Sequence, residues 1–169
     1  MRVRDELNRY AASRDFSPYS FDSFCPESEF YYRGGKDKAA GKTYRRRPLF
    51  PGYVFMETDM PAHDFLSAFS AYIYSSHDII RLLRSGADNI ALPEDERQRL
   101  EFLLKGKRCV VRSVGYIVGD KITVTDGPMR GREGLICYLN RHNRYADIEI
   151  EMFGGKIKAR VALEIVEKT

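Results

Sequence analysis

Three histidines and three cysteines carry the most versatile side-chain chemistry in this 169-residue chain, and their spacing gives it no catalytic form. His63, His77 and His142 fall in no triad or metal-ligand spacing, and no glycine-rich phosphate cradle is present. The chain therefore reads as a non-enzyme with no cofactor and no bound metal. Cys25, Cys109 and Cys137 lie far apart and form no Cys-x-x-Cys pair, the expectation being buried free thiols in a reducing cytoplasm. The chemistry that the residue types do support is binding. From Arg33 to Arg47 the basic residues Arg33, Lys36, Lys38, Lys42, Arg45, Arg46 and Arg47 face a single acid, Asp37. Such a run attracts polyanions or is simply solvated surface. It leads into Pro48-Leu49-Phe50-Pro51-Gly52-Tyr53-Val54-Phe55, where Pro51 and Gly52 interrupt a strand-like apolar segment between two aromatics. That interruption is either a bulge packed into a core or a backbone-shaped binding surface.

These residues need elements to position them, and the hydrophobic pattern supplies candidates. The 43% hydrophobic content suffices for real cores, and no apolar run is long enough to span a membrane. Residues 2 to 14 read as an amphipathic helix with Val3, Leu7, Tyr10 and Ala11 on one face. One or two short strands follow between Tyr19 and Tyr32, then a loop through Gly34-Gly35, then a strand from Leu49 to Glu57. Phe65, Phe69, Tyr72 and Ile73 recur at helical spacing. Ile79 to Leu83 reads as a short strand ended by Ser85-Gly86. Pro93 followed by Glu94, Asp95 and Glu96 opens another helix, whose apolar face is Leu100, Leu103 and Leu104.

Beyond Gly106 only short β-type runs remain: Ile122 to Val124, Leu135 to Cys137, Ile148 to Ile150, Ile157 to Val161 and Leu163 to Val166. Turn signals separate them at Asp126-Gly127-Pro128, Arg141-His142-Asn143-Arg144 and Gly154-Gly155. The expected fold class is α+β. An N-terminal antiparallel sheet with flanking helices occupies 1–106, a linker 107–118, and a small β-barrel 119–169.

Within that second part, Gly119-Asp120-Lys121-Ile122-Thr123-Val124-Thr125-Asp126-Gly127-Pro128-Met129-Arg130-Gly131-Arg132-Glu133-Gly134-Leu135-Ile136 resembles a KOW motif. It reads as a strand, a tight Gly-Pro turn, and a strand entered through Gly134, where a side chain would crowd the turn. Paired with Arg47-Pro48-Leu49-Phe50-Pro51-Gly52-Tyr53-Val54-Phe55 upstream, it resembles the NusG/Spt5 family of transcription elongation factors over residues 2 to 168. The resemblance implies an NGN-like N-terminal domain and an SH3-like KOW barrel. It implies a factor that rides RNA polymerase, its first domain seated on the clamp helices and its barrel recruiting ribosomal protein S10, Rho or RNA. Carried onto this chain, Phe50, Pro51, Gly52 and Tyr53 would bind the clamp helices, with Ile80 and Leu82 completing the pocket. Phe50 and Tyr53 are then expected to be exposed hot spots. Ser75, Ser76 and His77 fall near the segment that meets non-template DNA.

The last strands, Glu149 to Val166, look more like the specialised LoaP-type antiterminators than the housekeeping factors. On that likeness Arg141, His142, Arg144 and Tyr145, with Arg130 and Arg132 in the facing turn, would form an RNA-binding edge for a leader hairpin. The alternative is an ordinary polar hairpin. The implied function is operon-specific termination or antitermination by a cytoplasmic monomer without membrane contact. A housekeeping factor coupled to Rho or the ribosome, and a KOW-containing ribosomal or RNA-binding protein, stay open beside it. One departure stands out. Family members open with an apolar strand that belongs to the middle of their sheet, and here a helix starts at Val3. Either Met1 is an internal start, the reading preferred here, or that strand is replaced in some way.

Overall fold

In the computed structural model of the protein, residues 2–32, 43–84, 89–152 and 154–168 are described. The basic loop over 33–42 and the Ser85-Gly86 stop lie outside them.

The chain opens with helix α1 (Arg2–Ala12), whose Leu7 is buried. Two strands follow, β1 (Phe21–Phe24) and β2 (Glu27–Tyr32), then β3 (Thr43–Pro48) and β4 (Phe55–Thr58). Helix α2 (Ala62–Ser75) buries Phe65, Phe69 and Ile73, the spacing that the sequence predicts. Helix α3 (Glu94–Leu104) carries its three acids in the first turn, where the helix dipole favours them. It ends on Lys105, in the left-handed region with φ 47°. After it come β5 (Cys109–Val110), β6 (Ser113–Val118), β7 (Lys121–Asp126), β8 (Ile136–Asn140), β9 (Tyr145–Met152) and β10 (Gly155–Lys168).

The protein is α+β, with helices and short sheets followed by a small barrel-like β unit. Strands β1 and β4 pair antiparallel, β2 lies between β3 and β5, and the five-stranded sheet runs β7-β6-β10-β9-β8. Two of the expected boundaries move. The segment expected as a linker is largely strand: Cys109–Val110 pairs parallel with β2, and Ser113–Val118 pairs with both β7 and β10. The two short strands expected between Ile157 and Val166 are one, because no turn residue separates them. The first half of β10 pairs with β9 and the second half with β6.

Ile79 to Leu83 lies in no strand ladder among the described residues. Its β propensity is not realised as a ladder, and β4 pairs only with β1 in the described structure. The opening apolar strand expected by resemblance likewise has no counterpart among the described residues.

Two hydrophobic clusters hold the molecule together, and they do not divide at residue 106. One joins α1, α2, β1 and β4 through Leu7, Met60, Phe65, Phe69 and Ile73. Phe69 is fully buried, its ring 4.6 Å from that of Phe21 and 4.9 Å from that of Phe65. The other runs from Leu49 and Phe50 through Leu100, Leu103 and Leu104 of α3 into the barrel residues Val124, Met129, Ile148 and Val161. The apolar face of α3 is thus shared between the first part of the chain and the barrel. Burial on that scale, at about 1.5–3 kcal/mol per large apolar side chain, binds the two parts firmly.

Glycine matters most at one position in the KOW-like turn. Gly127 has φ 96°, and a Cβ there would stand 2.6 Å from the Ser113 Cα. Gly134, expected to need the missing side chain, has open space around it. The cysteines also differ from one another: Cys109 is buried, but Cys25 is half-buried and Cys137 exposed.

Candidate functional site

The Phe50-Pro51-Gly52-Tyr53 interruption is a tight turn. The Tyr53 N–H donates to the Phe50 carbonyl at 3.2 Å, and Gly52 has φ 87°. A positive φ at the third position, here glycine, is what a type II turn requires, and proline is favoured at its second. The turn separates its two aromatics. Phe50 is only 4% exposed and belongs to the cluster shared by α3 and the barrel, its ring 6.0 Å from that of Phe55. The expectation that Phe50 offers its ring at the surface does not hold, because the turn folds it inward. Pro51, Gly52 and Tyr53 stay exposed.

Tyr53 and Gly52 line a groove of about 1550 Å³. Its other walls include Ile80 and Leu82, on the extended segment after α2. Ile80 is 97% exposed, which for an isoleucine is a standing cost that a partner could relieve. Val3 and Leu7 of α1 and Phe65 of α2 also line the groove. The sequence pattern marks these three as helix core faces, and it carries no signal that they also border open space. The Arg2–Asp78 ion pair, at 3.4 Å, ties the start of α1 to the segment that carries Ile80. Ser76 ends α2 and His77 is exposed beside it, so both stand at the entrance to that segment.

The second set of candidate residues is not brought together. Arg132 stacks its guanidinium 4.0 Å from the ring centre of Phe102 on α3, near the start of β8. Arg130 is exposed in the turn before it. Arg141, His142 and Arg144 sit beyond the other end of β8, in the turn to β9. Arg141 and His142 are exposed, whereas Arg144 is committed to the fold. Its Nη1 donates to Glu164 Oε1 at 2.8 Å, and its guanidinium lies 4.6 Å from the Tyr31 ring centre. The side chain of Glu164, only 8% exposed, also meets the guanidinium of Arg112 at 3.3 Å. With the Tyr44 hydroxyl of β3, which donates to Glu164 Oε2, this seam joins β2, β3 and the barrel. Sequence reading misses it, since its members come from five distant segments.

The basic run of the sequence is structured where it is described. Arg45, Arg46 and Arg47 lie on β3, facing Phe30, Glu29 and Ser28 of β2. Arg45 stacks 3.6 Å from the Tyr32 ring centre and Arg47 5.3 Å from that of Phe30. Burial, and then the neighbouring Arg160, pulls the Arg47 pKa below its ordinary value.

No helix of the described residues is long and apolar enough to cross a membrane, and no cluster of three metal-ligating side chains occurs among them.

Residues 1–101 match the family described as "Transcription termination factor nusG". A Streptomyces coelicolor protein named "Transcription termination/antitermination protein NusG" is 23% identical over 180 residues, covering 99% of this chain and 58% of that protein. Proteins of the same name from Borreliella burgdorferi and Thermus thermophilus are 24% and 25% identical, covering 75% and 80% of this chain. The chain thus spans somewhat over half the length of the Streptomyces relative.

Proposed function

The chain belongs to the NusG family, and from that premise we propose that it is a non-catalytic transcription termination/antitermination factor that docks on RNA polymerase. The docking surface is the apolar groove, which would receive the polymerase clamp helices. The observation that carries this reading is the convergence of Tyr53, Ile80 and Leu82 on one groove, with Ile80 almost wholly exposed. An apolar helix pair set into such a groove would bury these side chains for about 1.5–3 kcal/mol each. Pro51 and Gly52 fix the turn that presents Tyr53. Phe50 supports that turn from inside. Ser76 and His77, at the end of α2, stand where non-template DNA would pass.

The barrel supports a second, finer reading. Arg141 and His142 project from the β8–β9 turn, and Tyr145 opens β9. We propose that this turn serves an operon-specific role by contacting a leader RNA hairpin. Arg130 and Arg132 would make a separate contact at the other end of β8. Coupling to ribosomal protein S10 or Rho is the housekeeping alternative for the same barrel.

In vitro transcription through a terminator tests both readings. Addition of the protein is expected to change readthrough, with a dependence on the leader RNA if the barrel turn recognises it. No effect on pausing or readthrough under either condition would exclude the proposed function. An effect independent of the leader would retain polymerase docking and exclude the operon-specific role.

A further inference from the structure

A row of aromatic rings, several covered by guanidiniums, crosses from the first part of the chain onto the barrel. On the β2–β3 hairpin, Arg45 covers Tyr32 at 3.6 Å and Arg47 covers Phe30 at 5.3 Å. On the barrel, Arg160 of β10 covers Tyr145 of β9 at 3.9 Å, and the Tyr138 ring of β8 lies 6.0 Å from that of Tyr145. Ser28 joins the two groups. It pairs with Arg47 in the β2–β3 ladder, and its hydroxyl donates to the Arg160 carbonyl at 2.9 Å. Burial, and then the nearby Arg160, disfavours the charge of Arg47. Asp147 pairs with Arg160 at 2.5 Å. No described carboxylate lies within ion-pair distance of Arg45 or Arg47, and the nearest acid to Arg46 is Glu27 at 4.0 Å.

We propose that this row is a binding surface for single-stranded nucleic acid, built jointly by the β2–β3 hairpin and the β8–β9–β10 face of the barrel. A guanidinium lying on a ring leaves its outer face as a flat, charged plate, on which a base can stack while a phosphate accepts its N–H groups. Arg45 and Arg47 are two residues apart on one strand, a rise of about 6.6 Å, comparable with the repeat of an extended nucleotide chain. A duplex hides its base faces and would use only the charges. An acidic peptide has carboxylates but no planar groups to match the row. The surface is independent of the polymerase-docking groove and shares only Tyr145 with the barrel turn proposed for a leader hairpin.

The test is fluorescence anisotropy of the full chain with labelled unstructured 12-nucleotide RNA and DNA strands, a hairpin RNA and polyglutamate as competitor. Single strands are expected to bind more tightly than the hairpin and to resist polyglutamate. R45S/R47S should weaken binding roughly tenfold or more and reduce the salt slope by about 1.4, that is, about 0.7 per lost phosphate contact. Y138S should weaken it about five- to tenfold through lost stacking. R97S, on the exposed face of α3, should leave it unchanged. A preference for RNA or DNA identifies the strand that is bound and leaves the surface standing. Unchanged binding by R45S/R47S with the fold intact by circular dichroism would overturn the joint surface. Equal affinity for the hairpin, or displacement by polyglutamate, would overturn the single-strand reading. Because Arg45, Arg47 and Tyr138 do not line the groove, polymerase binding by R45S/R47S and by Y138S should be normal.

Discussion

The hydroxyl of Tyr44 on β3 donates to Glu164 Oε2 on β10 at 3.0 Å, across 120 positions of the chain. Through that contact the N-terminal hairpin and the barrel share one carboxylate, which also holds Arg112 and Arg144. Its neutral replacement leaves two guanidiniums without their acceptor, one of them half-exposed and able to turn to water. E164A should therefore destabilise the protein by about 2 kcal/mol, and Y44F by about 1 kcal/mol, in urea unfolding. If both variants unfold at the wild-type midpoint, the seam contributes nothing to holding the two parts together.

The KOW-like turn offers a contrast between two glycines. Gly127 combines a positive φ with a Cβ position 2.6 Å from the Ser113 backbone, whereas Gly134 has open space. G127A should cost about 3 kcal/mol, the sum of left-handed strain and overpacking. G134A should stay within about 0.5 kcal/mol of wild type. Thermal melts of the two variants decide the matter, and equal melting temperatures would contradict this assignment of the essential glycine.

Glu133 gives the same turn a pH dependence. Its Oε1 accepts the Val124 N–H at 2.9 Å, the first cause of a pKa held below the ordinary 4.5, with the Gly131 N–H adding to it. A carboxyl depressed by folding contributes stability above its unfolded pKa and loses it as pH falls through the folded value. E133Q should lower stability near neutral pH by about 1 kcal/mol and flatten the decline on acidification below about pH 4.5. Parallel stability–pH curves for the two proteins would exclude this role.

The thiols should react in order of access. Cys137 is exposed, Cys25 half-buried and Cys109 buried, with burial pushing the Cys109 pKa up. Alkylation of the native protein, followed by mass spectrometry, should modify Cys137 first and Cys109 last. Modification of Cys109 ahead of Cys137 would mean that β5 opens readily.

Much of this fold is legible in the sequence because the elements obey local rules. The periodicity of Phe65, Phe69 and Ile73, the acids after Pro93 and the alternation within β9 each report a local preference. The misses share a different cause. Phe50 turns inward because Leu49 and Phe50 join a cluster assembled from α3 and the barrel, which no local pattern encodes. The segment after His77 has strand propensity but no ladder, since propensity supplies no partner backbone. Arg144 sits in a polar turn by its sequence, yet its charge is consumed by Glu164 and its face by Tyr31. Arg45 and Arg47 look like one solvated basic run until the β2–β3 register sets them over aromatic rings. Long-range pairing decides these cases, and composition and spacing do not record it.

The docking groove carries the account's central claim, and neither Tyr53, 36% exposed, nor Ile80, 97% exposed, belongs to a buried core. The direct measurement is the affinity of purified RNA polymerase for wild type and for the Y53A/I80A double variant, at one salt concentration and with the variant's fold verified by circular dichroism. Loss of two apolar contacts buried at an interface predicts at least a tenfold weaker complex, about 1.4 kcal/mol or more. Wild-type affinity in the folded double variant would contradict the assignment of the groove to polymerase.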